Sequence, residues 1–182
     1  MVTIQLRKKF TLIHLLLLSG IWPAAHLQAE SRPNILFCIS DDQSYIHTGA
    51  NGDPVVQTPA FDRVAREGLR FTYAFCDAPT CGPSRSAILT GQPIWRLEEP
   101  GNIHSTLPEK FATYTNRLES AGYLVGYTGK GWSPGRLEPG GRTQNPAGKI
   151  FDNRYKKPPF KAMSHADYAG NFEDFLADLQ DD

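Results

Sequence analysis

The residues best equipped for chemistry sit in one run, Pro79-Thr80-Cys81-Gly82-Pro83-Ser84-Arg85-Ser86-Ala87-Ile88-Leu89-Thr90-Gly91. Cys81 is a sulfur nucleophile, or the precursor of a modified one. The run opens as a turn and is expected to continue as a helix. Pro83 suits a first helical turn, where its missing N–H costs little, and Gly91 suits the stop, where left-handed backbone is cheap for glycine. Cys81 is then placed at a helix N-terminus, where free N–H groups and the dipole favour an anion. Arg85 follows four residues on, on the same helical face, so its guanidinium is expected beside the Cys81 side chain. Taken alone, these residues also suit a buried packing cysteine ahead of an ordinary capped helix.

Two further groups stand at the ends of apolar runs. Asn34 to Ser40 suits a strand buried on both faces of a parallel sheet. Asp41-Asp42 follows at its carboxyl end, where open α/β sheets place their ligands. Adjacent carboxylates repel each other unless a cation compensates them, and oxygen donors of this kind suit a hard divalent ion; an acidic turn that caps a helix is the plainer alternative. Tyr123 to Tyr127 reads as another strand, followed by Thr128-Gly129-Lys130-Gly131-Trp132. Lys130 thus comes to the same edge as Asp41 and could pair with an anionic group there. His104, in the irregular stretch Gln92 to Ser105, lies near the cysteine run and could face a substrate, although a lone loop histidine is more often solvated.

These groups need elements to hold them. Thr58-Pro59 begins a helix with Phe61, Val64 and Ala65 as its apolar face and Gly68 as its stop. Leu69, Phe71 and Tyr73 alternate with Arg70, Thr72 and Ala74, which predicts a strand delivering the chain to Cys81, its aromatics in the core. Leu107 to Ala121 reads as a helix ended by Gly122. Asn171 to Leu179 reads as another, with Phe172, Phe175, Leu176 and Leu179 on one face. Ser133 to Phe160, rich in glycine and proline, is a long loop on the expected rim of a site. The fold class that follows is α/β, a mainly parallel central sheet flanked by helices.

The run from Cys81 to Gly91 resembles the signature of the formylglycine-dependent sulfatases. Its Cys-x-Pro-x-Arg core is met by Cys81, Pro83 and Arg85, and its flank of two apolar residues, a threonine and a glycine by Ile88, Leu89, Thr90 and Gly91. Asp41-Asp42 matches the family's calcium-holding pair after the first strand. Gly129-Lys130 matches the start of its Gly-Lys-Trp-His-Leu-Gly segment, but Trp132 stands where the family has a histidine. The resemblance runs from about Arg32 onward and leans toward bacterial heparan N-sulfatase-like and arylsulfatase-like enzymes. It implies an alkaline-phosphatase-like fold, incomplete at the C-terminus, with residues 30–182 as the N-terminal part of a catalytic domain. The family's second metal-binding pair, with a further His and Lys, would come from beyond this length.

The resemblance also implies a chemistry. The protein would be a sulfuric ester hydrolase acting on sulfated carbohydrate or aryl sulfate. Its cofactors would be Ca2+ and a formylglycine made from Cys81 by a formylglycine-generating or anaerobic sulfatase-maturating enzyme. Asp41, Asp42 and the modified Cys81 would hold the metal, Arg85 the aldehyde hydrate and Lys130 the sulfate. Loop cations Arg136, Arg142, Lys149, Arg154, Lys156 and Lys157 would meet a sulfated sugar or stand solvated. A related phosphatase or phosphonate hydrolase, a non-catalytic module for sulfated glycans, and a piece that does not fold alone are the competing readings.

Composition bounds the setting. Arg7, Lys8 and Lys9 precede an apolar run from Phe10 to Trp22, and small residues follow up to Ala29. Residues 1–29 are therefore expected to be a secretory signal peptide, too short in its apolar run for a bilayer span. Export to a periplasm or beyond follows, with no stable membrane insertion after cleavage. The whole chain carries 19 Lys+Arg and 19 Asp+Glu, and loss of the three leader cations leaves a net charge of about −3. That is no basic footprint for nucleic acid. The chain has 3 cysteines, an odd count that leaves one thiol unpaired or modified. A Cys76–Cys81 bridge is the rival use of Cys81, and Cys38 and Cys76 are assigned to core strands.

Overall fold

The structure, a computed structural model, describes residues 2–6 and 32–179. Apart from Val2–Leu6, the expected leader lies outside the described residues. Among the described residues one sheet forms from β1 (Val2–Leu6), β2 (Ile35–Phe37), β3 (Tyr123–Tyr127) and β4 (Lys149–Ile150), in the order β2-β1-β3-β4. β1 runs antiparallel to both neighbours, with Val2 opposite Phe37 on one side and Tyr127 on the other. β3 and β4 pair in parallel. It follows that β2, β3 and β4 all point the same way and β1 alone runs against them; the strand directions fit the expected mainly parallel sheet in part, since two of the three pairings are antiparallel through β1.

Among the described residues four α-helices accompany the sheet: α1 (Pro59–Glu67), α2 (Cys81–Thr90), α3 (Tyr114–Ser120) and α4 (Tyr168–Ala177). α2 begins and ends where its residues predict. Pro83 lies in its first turn, and Gly91 closes it in left-handed backbone (φ 65°, ψ 22°), with its N–H donating to the Ala87 carbonyl. α3 is shorter than expected. Its start is set by a capping box in which the Thr113 hydroxyl accepts from the Asn116 N–H and the Asn116 side chain accepts from the Thr113 N–H. That motif defines the first turn, so Leu107 lies ahead of the helix as a buried core residue. α4 starts three residues before its predicted start, because Asp167 caps it by accepting from the Gly170 N–H.

β3 is the centre of the core and is buried along its whole length. Strand alternation sends Tyr123, Val125 and Tyr127 to one face, where they join Leu89 of α2, Leu97, Leu107 and Trp132. Leu124 goes to the other face and meets Phe151 and Phe175 of α4, whose rings pack edge to face at 5.3 Å.

Several core assignments are corrected by the structure. Leu69 to Tyr73 is not a strand, and Leu69, Phe71, Tyr73 and Phe75 are 74–89% exposed. Cys38 and Cys76 are exposed free thiols, and Ile35, Leu36 and Phe37 of β2 and Phe61 and Val64 of α1 also face solvent. Alternation and a helical stripe report that a face is able to bury itself. Burial also needs a second layer, and among the described residues none covers this side.

Candidate active site

The site forms where β2 and β3 end and α2 begins. Asp41 lies just past β2, Lys130 just past β3, and Cys81 is the first residue of α2. One Asp41 carboxylate oxygen accepts from Lys130 Nζ at 2.5 Å, and the other accepts from Arg85 Nη2 at 3.1 Å. Arg85 Nη1 donates to the Gly131 carbonyl at 2.8 Å. One arginine therefore joins the helix to both strand ends. Its side chain is only 8% exposed, and partners of this kind offset the cost of taking a guanidinium out of water. Asp41 and Lys130 are more open, 42% and 34% exposed, so solvent screens their mutual attraction.

The two groups hold each other ionised. The hydrogen bond from Lys130 keeps the Asp41 carboxyl below its usual range, working against partial burial and aided by Arg85. In return, the hydrogen bond to Asp41 raises Lys130, working against partial burial and aided by the charge of Asp41.

The turn that presents Lys130 needs its glycines. Gly129 and Gly131 stand at φ 77° and 51°, on the left-handed side where a side chain is strained. A Cβ on Gly131 would also lie 2.4 Å from the Tyr127 ring. Asp42 stands at φ 53° and exposed, a backbone position that aspartate tolerates better than most residues. All three cysteines are free thiols, Cys81 being partly buried.

Other expected contributors are placed elsewhere. His104 stands at φ 61°, its carbonyl accepting from Arg136 Nε at 3.1 Å, in a loop whose Asn102 carbonyl passes beside Gly82. Arg142 is no sugar contact. It is buried and donates to the carbonyls of Leu107, Pro108 and Phe111. Lys149 pairs with Asp178, Arg154 with Glu173 and Asp174, and Lys156 with Asp167, so charge near the loop is largely matched within the chain. Sequence reasoning missed the Gly131 carbonyl as a partner of Arg85; the two glycines that flank Lys130 were the available cue.

Oxygen donors on Asp41 and Asp42 match calcium in kind. They do not match it in number, since calcium takes about six to eight oxygens, and among the described residues no three His, Cys, Asp or Glu converge as a metal-holding group.

Such an arrangement, a cysteine opening the helix whose Arg85 meets the lysine-paired Asp41 at the carboxyl edge of an α/β sheet, is fitted to handling an anionic group. Comparison with known proteins makes the class specific. The sulfatase family profile matches residues 33–182, and the chain belongs to the sulfatase family, whose members are sulfuric ester hydrolases. It is 35% identical over 122 residues to an N-acetylgalactosamine-6-O-sulfatase of Bacteroides thetaiotaomicron, covering 65% of this chain and 24% of that protein. It is 40% identical over 112 residues to arylsulfatase A of Bos taurus, covering 59% and 22%, and 32% identical over 139 residues to human arylsulfatase D, covering 70% and 23%. The chain thus spans about a quarter of the length of these relatives. No solved structure matches it. Family membership implies an alkaline-phosphatase-like α/β fold, and the sheet and four helices are consistent with part of one.

Proposed function

We propose that this chain carries the nucleophile end of a sulfatase site, hydrolysing a sulfate ester of a carbohydrate or an aryl alcohol after Cys81 is converted to formylglycine. The observation that carries the reading is the contact of Asp41 with both Lys130 and Arg85 at the start of the helix that Cys81 opens. In this reading Lys130 and the α2 N-terminus receive the sulfate oxygens, where charge develops as the ester breaks. Arg85, held by Gly131 and Asp41, orients the group at position 81. Formylglycine would supply a hydroxyl of its hydrate as the attacking oxygen. Asp41 and Asp42 would supply two of the oxygen donors of a calcium shell completed by further ligands, and the chemistry supplied there would be Lewis-acid polarisation of a sulfate. Residues 1–29 would direct export, so that the maturating enzyme meets the chain on its way to a periplasmic or extracellular location.

Mass spectrometry of the protein co-expressed with a formylglycine-generating enzyme tests this. The expected result is a Cys81 peptide lighter by the thiol-to-aldehyde difference. Only unmodified thiol, or a Cys76–Cys81 disulfide, would sink the reading. In turnover-competent protein, Cys81→Ala should abolish hydrolysis of an aryl sulfate, and Lys130→Ala or Arg85→Ala should lower it by about a hundredfold. Equal rates on the matching phosphate ester would favour the phosphatase reading.

A further inference from the structure

We infer that Trp132 is a positioning residue for Cys81 and acts through Ser86; the inference rests on Cys81 being the reacting residue. Trp132 stands where the family carries a histidine, yet its ring points away from solvent, at 3% exposure. Its indole N–H donates to Ser86 Oγ at 2.8 Å, and Ser86, fully buried, donates in turn to the Gly82 carbonyl at 2.9 Å. Gly82 follows Cys81 directly. The indole is therefore linked by two hydrogen bonds to the first turn of α2, one residue from the sulfur.

The other end of the link is also fixed. The Trp132 N–H donates to Asn145 Oδ1 at 3.1 Å, and its carbonyl accepts from Asn145 Nδ2 at 3.0 Å. The Pro134 carbonyl covers Gly82 so closely that a Cβ there would lie 3.0 Å from it. With the Arg85–Gly131 bond, residues 131–134 touch α2 at Gly82, Arg85 and Ser86, while Lys130 just before them reaches Asp41. The lysine and the helix start are thereby held in one relation.

Packing alone does not account for this. A buried indole N–H needs an acceptor, but any carbonyl would serve. Here the acceptor is a hydroxyl that spends its own proton beside Cys81. A phenylalanine would fill the ring's space without the link. Misplacement of a reacting group by about an ångström is enough to cost two orders of magnitude in rate, so a fixed helix start has catalytic weight. The position that would otherwise hold a substrate-facing histidine is used to tether the nucleophile's helix.

Two readouts test the inference. In the 182-residue chain before maturation, native-state alkylation of Cys81 is measured against exposed Cys76 as internal reference, for wild type, Trp132→Phe, Ser86→Ala and the double variant. Each single variant should raise the Cys81:Cys76 ratio by about threefold or more through loosening of the helix start, and the double variant should go no further. In matured, turnover-competent protein the same variants should lower kcat by about tenfold or more with KM within about twofold. An unchanged ratio in folded Trp132→Phe, effects of the two variants that multiply, or a loss confined to KM overturns the inference. If Ser86→Ala does not fold, Trp132→Phe alone decides. A wild type without sulfatase activity would defeat the functional reading, and the alkylation ratio would still decide the tether.

Discussion

Arg85, read as part of the signature, and Arg142, read as one of several loop cations, are both buried, and the fold uses them in opposite ways. Arg85 was readable because helical spacing from Cys81 fixed its face; the structure turns its guanidinium to Asp41 and Gly131. Arg142 was not readable, because its partners are three carbonyls of Leu107, Pro108 and Phe111, more than thirty residues away in sequence. Its burial lowers its pKa from the usual arginine value, yet three charge-assisted bonds keep it ionised. Arg142→Leu should therefore destabilise the chain by roughly 2–4 kcal/mol, the cost of three abandoned carbonyls in a buried site, read as a lower urea midpoint at unchanged slope. A change under about 0.5 kcal/mol would show that these carbonyls find water instead. Asp41, Lys130 and Cys81 were each legible from the end of an apolar run or from the signature. Their pairing was not, since no local pattern states which cation a carboxylate will choose.

At the level of elements, β3, α2, α3 and α4 show what local pattern can and cannot fix, while β4 (Lys149–Ile150) falls inside the stretch read as a loop. The four apolar residues of β3 and the Pro83–Gly91 frame of α2 were enough to place both, because each is buried against partners that its own residue types demand. α3 and α4 were placed with shifted ends, since Thr113 and Asp167 decide where they begin and caps are short signals. Within β3, Gly126 is a position of contact, not of freedom. A Cβ there would lie 2.6 Å from the Phe151 ring and 2.8 Å from Phe175. Gly126→Ala should cost about 1–3 kcal/mol by overpacking. The added Phe151→Leu change should restore part of that loss, measured by thermal unfolding. Equal stability of Gly126→Ala and wild type would mean that α4 can back away from β3 freely.

On the scale of the whole molecule, the two sides of the sheet region differ. One holds the packed clusters around β3, and the other leaves β2, α1 and Leu69 to Phe75 bare. Apolar surface of that extent is uncommon on a lone soluble chain. The 182-residue protein should accordingly associate as its concentration rises, seen by sedimentation velocity, and Phe71→Ser with Phe75→Ser should reduce that association; monodisperse monomer at high concentration in wild type would contradict it. The place of β1 has a different consequence, one of timing. The seat between β2 and β3 is taken by Val2–Leu6, which pairs with every residue of β3. Because β2 and β3 point the same way, they are able to join directly as parallel neighbours only once that seat is vacated, by a movement of about one strand spacing, ~4.8 Å. If residues 1–29 direct export, as proposed, a molecule that folded first would conceal the opening residues of that label inside its sheet. A molecule exported first, with the label removed, would never meet the competitor. Under that proposal the order of the two events, more than the stability of either form, would decide which sheet the protein ends with.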